Sequence, residues 1–209
     1  MRMNPKAYNV ASESTPFEVE EFDGRTVELY YLNEFDVLMD EFTNKGKFDV
    51  WSSEDGVNYR LYIEEGYYNA VKELYSQPVN KISLDFWDEC EKITKKSTSR
   101  LIVPLTILAF IACIGVSFIP GEVGTYLSLG IIAAAFIGMM VINNMSKKKI
   151  HDQNVKSVDL IKKHVGEKRF EKLLDLKKDY VDEYFNALYP DEEEAEEKLE
   201  ETKEEEISE

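Results

Sequence analysis

The side chains that most often do chemistry are few in this sequence and poorly spaced for it. The two histidines, His151 and His164, stand 13 residues apart in charged, helix-patterned surroundings, a setting that turns imidazoles to solvent rather than toward a shared metal or substrate. Cys90 lies in a charged run and Cys113 in an apolar one, so neither a Cys-x-x-Cys pair nor a disulfide framework exists, and a reducing compartment fits best. The acid pairs Glu20-Glu21 and Glu64-Glu65 have no spacing that argues for acid and base roles. No phosphate-cradling glycine loop and no Gly-x-Ser-x-Gly elbow occurs. The expectation is a protein that is not an enzyme, with no catalytic residue, no metal and no cofactor.

What remains is recognition chemistry, and it centres on Tyr30 and Tyr62. Tyrosine offers a large contact area, a polar tip and little side-chain entropy to lose, as binding surfaces favour. Both tyrosines fall in segments of strand-like alternation. FEVEEF (17–22) leads through Asp23-Gly24 into RTVELYYL (25–32), and KFDVW (47–51) leads through Glu54-Asp55-Gly56 into VNYRLYIE (57–64); alternation around Asp-Gly is a hairpin signal. A helix pattern follows each hairpin, first Phe35, Leu38, Met39 and Phe42, then Tyr67, Ala70, Val71 and Leu74, spaced i, i+3, i+4, i+7.

A shift of 32 residues superposes Asp23 on Asp55, Gly24 on Gly56, Leu29 on Leu61, Tyr30 on Tyr62 and Glu41 on Glu73, the mark of an internally repeated ββα unit. The fold expected for residues 17–80 is a four-stranded, mainly antiparallel sheet with two helices on one face. Period-2 alternation points Val27, Leu29, Tyr31, Tyr59, Leu61 and Ile63 toward the helices. Glu28, Tyr30, Leu32, Arg60 and Tyr62 point away. Tyr30, Tyr62, Leu32 and Arg60 are therefore candidate protein-binding residues on an uncovered face. The alternative is that the C-terminal helix of the same chain packs over that face.

Charge excludes one class of partner. Of 209 residues, 25 are Lys or Arg and 41 are Asp or Glu, a net −16, which phosphate backbones repel; no nucleic acid is expected. The charge is uneven: residues 95–150 hold six basic residues and one acid, and 191–209 hold two basic residues and 12 acids.

The basic stretch frames two apolar runs. LIVPLTILAFIACIGVSFI (101–119) and TYLSLGIIAAAFIGMMVI (125–142) carry no charge, and about 17 to 20 such residues cross a bilayer core as a helix. Pro120, Gly121, Glu122, Val123 and Gly124 between them make a five-residue turn, so the spans form a helical hairpin (101–143). Lys95, Lys96 and Arg100 precede it, Lys147, Lys148 and Lys149 follow it, and the turn has no base. The positive-inside rule then sets both termini on the cytoplasmic side of a plasma, bacterial inner or equivalent organellar membrane. The opening MRMNPKAYNV lacks the apolar core of a secretory signal.

Small residues recur every four positions at Ala109, Cys113 and Ser117 and at Gly130, Ala134 and Gly138. Such stripes serve packing of the two spans on each other or an oligomer or partner interface. Pro104 falls in the first turn of its span, where a missing N–H is tolerated. The interiors of the spans offer only Thr106, Cys113, Ser117 and Ser128 as polar interruptions, so a single hairpin is no transporter; only an oligomer could form a pore, with Glu122 and Thr125 ringing the outer mouth.

Residues 1–16 read as a flexible N-terminus, 81–100 as a linker helix with Ser83 as its cap, and 144–190 as amphipathic helices divided or bent at Gly166. The acidic tail 191–209 cannot bury enough surface to offset chain entropy and is expected to be disordered. Taken together, the sequence suggests a membrane-anchored adaptor or accessory subunit of α+β type, its partners the lipid bilayer and a protein or second copy of itself. A homo-oligomeric pore is the alternative.

Overall fold

The computed structural model describes residues 3–189, so the acidic tail lies outside the described residues. The chain divides into two compact units. Among the described residues, one is built from 3–79 together with 165–189 and the other from Asn80–His164.

The first unit is an α+β domain. A one-turn helix α1 (Pro5–Tyr8) precedes β1 (Glu18–Phe22) and β2 (Arg25–Tyr31), then α2 (Asp36–Phe42), β3 (Asp49–Ser52), β4 (Asn58–Ile63), α3 (Glu65–Val71) and, far along the chain, α7 (Glu167–Leu188). Asp23 and Gly24 both adopt positive φ, 51° and 73°, the backbone that a two-residue hairpin turn needs to match strand twist. They bring Phe22 opposite Arg25.

The sheet is mixed, in the order β1-β2-β4-β3. Each hairpin is antiparallel, but β2 and β4 pair in parallel at the centre, Val27 beside Tyr59, Leu29 beside Leu61 and Tyr30 beside Tyr62. This corrects the expected antiparallel sheet. Both inner strands are buried on both faces (Val27, Leu29, Tyr30, Tyr59, Leu61, Tyr62 and Ile63 are at most 2% exposed), the environment in which a parallel pair is found.

The helices lie on opposite faces, which corrects the expectation that they share one. Leu38, Met39 and Phe42 of α2 pack with Tyr30, Tyr62 and Val50. Tyr68 of α3 packs on the other face with Phe17 and Tyr31, whose rings stack at 4.2 Å. β1 flanks β2 on one side of the sheet and β3 flanks β4 on the other, while Tyr30 and Tyr62 face the same way. The two ββα stretches therefore do not share one arrangement about the sheet.

The second unit is helical. Helix α4 (Gln77–Ser97) begins six residues before Ser83, so Ser83 lies inside it and caps nothing. A π turn over Thr98–Ile102 joins it to α5 (Val103–Ser117) without a break in the helical path. A proline at 104 cannot donate to the Arg100 carbonyl, and the widened turn sits just where that bond is lost. Helix α6 (Glu122–Val165) is 44 residues long and stops at Gly166, whose φ of 93° suits no ordinary side chain. Two helical paths, Gln77–Ser117 and Glu122–Val165, are long and apolar enough to cross a membrane by length and composition.

Candidate functional site

The structure brings the four candidate binding residues together, Tyr30, Leu32 and Tyr62 as core and Arg60 half-buried beside them. Tyr30 is 2% exposed and Leu32 and Tyr62 are fully buried. The Tyr30 and Tyr62 rings stack at 5.6 Å with the Phe35 ring edge-on to both. Arg60 Nε donates to Glu28 Oε2 at 2.9 Å and Nη1 donates to the Tyr8 carbonyl at 2.5 Å. Its guanidinium lies 4.4 Å from the Tyr8 ring centroid and 5.7 Å from that of Tyr30. The Tyr30 hydroxyl donates to Glu28 Oε2 at 2.9 Å; burial first, and then that bond, push it up to about 12. The Tyr62 hydroxyl donates to the Ala7 carbonyl at 2.8 Å.

The expectation of an uncovered face is thus corrected. Its cover is neither a partner nor the C-terminal helix but α2 together with residues 3–11 of this chain, which the sequence reading took for a flexible lead-in. Ala7 and Ala11 are 4% and 1% exposed, Met3 and Ser53 exchange backbone hydrogen bonds at 2.9 and 2.8 Å, and Asn4 Nδ2 donates to the Trp51 carbonyl. The two alanines are small enough to let this segment lie directly on the tyrosines. Nothing in an Ala- and Asn-rich stretch of nine residues announces that by period or charge.

On the opposite face α7 docks against α3, centred on Glu64, a residue without an assigned role in the sequence reading. As the N-cap of α3, Glu64 accepts from the Gly66 and Tyr67 N–H groups at 3.2 and 2.6 Å, the bonds that satisfy open amides at a helix start. It also accepts from Asn33 Nδ2 at 3.1 Å and from the Tyr180 hydroxyl at 2.5 Å. Burial alone would raise its carboxyl, but these four donors outweigh burial and hold it below the usual carboxylate range. Around this hub Phe48 packs on Tyr67, Tyr180 and Tyr184, and Arg169 pairs with Glu73 at the exposed rim. Glu64 immediately precedes α3, but glutamate is not among the residues that usually cap a helix, and Tyr180, 116 residues on, carried no signal in the sequence either.

In the hairpin, the small-residue stripes divide. Ala109 and Cys113 of α5 are half-buried and the Cys113 thiol lies 4.0 Å from the Ser128 carbonyl of α6, while Ser117 is exposed and bonds the Ile114 carbonyl of its own helix. On α6, Gly130 and Ala134 are exposed, and a methyl group at Gly130 would meet nothing within 4 Å. Gly138 does face α5: a Cβ there would stand 3.0 Å from Leu105 Cδ2. The packing seam of α6 runs instead through Gly124, Ser128, Ile131, Ala135, Gly138 and Ile142, positions three to four apart. Glu122 and Thr125 are exposed at the turn. Thr106 donates its hydroxyl to the Ile102 carbonyl at 2.9 Å, a bond within its own helix.

At the basic end of the same unit, α4, the π turn and α6 enclose a cleft of about 340 Å³. Its walls carry Lys92, Lys96 and Lys149 beside Ile93, Leu101, Ile142 and Met145, with Glu89, Ser97 and Ser146 completing it. The Ser97 and Ser146 hydroxyls are 2.7 Å apart. Glu89 is taken by Lys92 at 2.6 Å, and Lys96 and Lys149 have no carboxylate partner among the described residues. In the sequence these lysines stand out only as charge flanking the apolar runs.

Among the described residues no group of three or more His, Cys, Asp or Glu is placed to hold a metal ion. His151 and His164 are exposed, and Cys90 and Cys113 are free thiols. No protein-family model, no curated protein and no solved structure matches the chain.

Proposed function

We propose that the chain is a non-enzymatic, membrane-anchored adaptor or accessory subunit, with the hairpin fixed in a bilayer and the α+β domain and α7 held on the cytoplasmic side. One observation carries the membrane reading: the apolar stretches of the two long helices are 0% and 6% buried within the molecule. Phe110, Phe118, Tyr126, Phe136 and Ile137 are each more than 60% exposed. An apolar surface of that extent in water would exceed what soluble monomers carry and would drive aggregation, whereas lipid removes the cost. The lysines at both ends of the hairpin set its direction.

The non-enzymatic reading rests on how the domain spends its polar groups. Glu64, Glu28, Arg60, Tyr62 and Tyr180 each hold one element to another, which leaves them committed to structure rather than to a substrate.

Two experiments test this. Membranes of cells expressing the chain are washed with alkaline carbonate, and a Glu122→Cys variant in a Cys90→Ala/Cys113→Ala background is labelled with an impermeant maleimide. The proposal expects full retention in the pellet and labelling from outside in intact cells; release into the supernatant would sink it. Reconstitution in planar bilayers separates the adaptor, which passes no current, from a pore of gathered hairpins, whose conductance would change in Glu122→Gln.

A further inference from the structure

We propose that the cleft between α4 and α6 binds the phosphate of an anionic glycerophospholipid from the cytoplasmic leaflet. The inference rests on the membrane reading above and adds to it a defined lipid site.

The order of chemistry along the cleft matches the order of chemistry along a lipid. Leu101 opens the first apolar run and Ile142 closes the second, so both stand at the edge of the hydrocarbon layer. Here they form the cleft's apolar wall with Met145. Lys96 lies five residues before Leu101 on the α4 side and Lys149 seven residues after Ile142 on α6, about one to two helical turns away from the apolar runs, where a headgroup phosphate would lie above acyl chains that run along the wall. Basic pockets between helices at the cytoplasmic boundary are suited to anionic headgroups.

Charge balance points the same way. Lys92 is neutralised by Glu89, which leaves Lys96 and Lys149 as two cations with no carboxylate partner among the described residues. They belong to a stretch, 95–150, with six basic residues and one acid inside a chain of net −16. A phosphate bearing one or two negative charges would complete that balance. A free phosphate ion would gain nothing from Leu101, Ile142 and Met145, and this is the reason for assigning the lipid rather than the ion.

The test uses the full chain purified in a neutral detergent, with lipid binding read by native mass spectrometry. Phosphatidylglycerol and phosphatidylcholine are offered separately, and inorganic phosphate is added as competitor. The expected result is one phosphatidylglycerol bound in preference to phosphatidylcholine and not displaced by millimolar phosphate. In Lys96→Gln/Lys149→Gln the affinity for it falls about thirtyfold, two lysines each acting with the strength usual near a membrane surface. Lys96→Arg/Lys149→Arg keeps the affinity, and Lys147→Gln/Lys148→Gln, which removes the same charge at the same depth outside the cleft, changes it less than threefold. Equal losses in the two Gln pairs, equal binding of the two lipids, or displacement by phosphate would each overturn the site. A chain that remains in solution once detergent is withdrawn overturns the membrane reading itself; a chain that needs detergent yet lacks the lipid preference overturns the site alone.

Discussion

The Tyr180 hydroxyl donates a hydrogen bond of 2.5 Å to Glu64 Oε2, tying the C-terminal helix α7 to the start of α3 across 116 residues of chain. The same oxygen accepts from the Tyr67 N–H, so one carboxylate both caps a helix and anchors the element that returns from beyond the hairpin. Gly66 makes the approach possible, since a Cβ there would stand against the Tyr180 hydroxyl, on the same atom that reaches Glu64.

Removing that bond is expected to loosen α7 selectively. Tyr180→Phe should cost about 1.5 to 3 kcal/mol, the range for hydrogen bonds to a charged group, measured by urea unfolding of the full chain. Gly66→Ala should weaken the same contact by displacing the tyrosine. Arg169→Gln, at the solvent-exposed pair with Glu73, should leave stability almost unchanged, because exposed ion pairs contribute little. A larger loss from Arg169 than from Tyr180 would refute this ranking.

Acid should act through Glu64. Its carboxyl titrates below the ordinary range in the folded chain and near about 4.3 when unfolded. The stabilisation is therefore complete above that ordinary value and is lost as pH falls through the lower, folded value. Unfolding midpoints recorded between neutrality and pH 3 should drop steeply for the native chain and less steeply for Glu64→Gln. Parallel curves would mean that other carboxylates carry the acid limb.

Tyr62 should behave as a core residue. Tyr62→Ala would open a cavity against Tyr30 and Phe35 and cost about 3 to 5 kcal/mol, while Tyr62→Phe loses only the hydroxyl's contacts with the Ala7 and Tyr8 carbonyls, about 1 kcal/mol. In the Phe variant, limited proteolysis should cut faster within residues 3–16 and nowhere else. Full stability of the Ala variant would restore these tyrosines as surface residues.

The two glycines of the second span should respond in opposite ways. Gly138→Ile drives a branched side chain toward Leu105 and should cost about 1 to 3 kcal/mol of hairpin packing, as overpacked sites do. Gly130→Ile meets open space and should leave the thermal transition in detergent where it is. A shift of the Gly130 variant alone would place the contact between α5 and α6 on the wrong face.

Much of the architecture is written locally. The Asp23-Gly24 turn, the four strands, the helix patterns that became α2 and α3, the stop at Gly166 and the two uncharged runs between lysine clusters all follow from neighbours in the chain. Turn geometry, a period of 2 or 3.6 and the thickness of a bilayer each act over a few residues to about twenty. Alternation also placed Glu28, Tyr30, Arg60 and Tyr62 on one side of the sheet.

What lay over that side was a tertiary decision. Alternation labels two faces without saying what covers either, and the parallel pairing of β2 with β4 sent α2 to one face and α3 to the other. The unpatterned segment around Ala7 and Ala11 could then close over the tyrosines, and α7, which follows the hairpin in sequence, could reach Glu64. The seam of α6 was decided in the same way: small residues mark where a helix can be approached, but only the crossing of α5 on α6 chose Ala135 and Gly138 over Gly130 and Ala134, because a rotation of the helix about its own axis exchanges one small-residue face for the next at no cost in sequence.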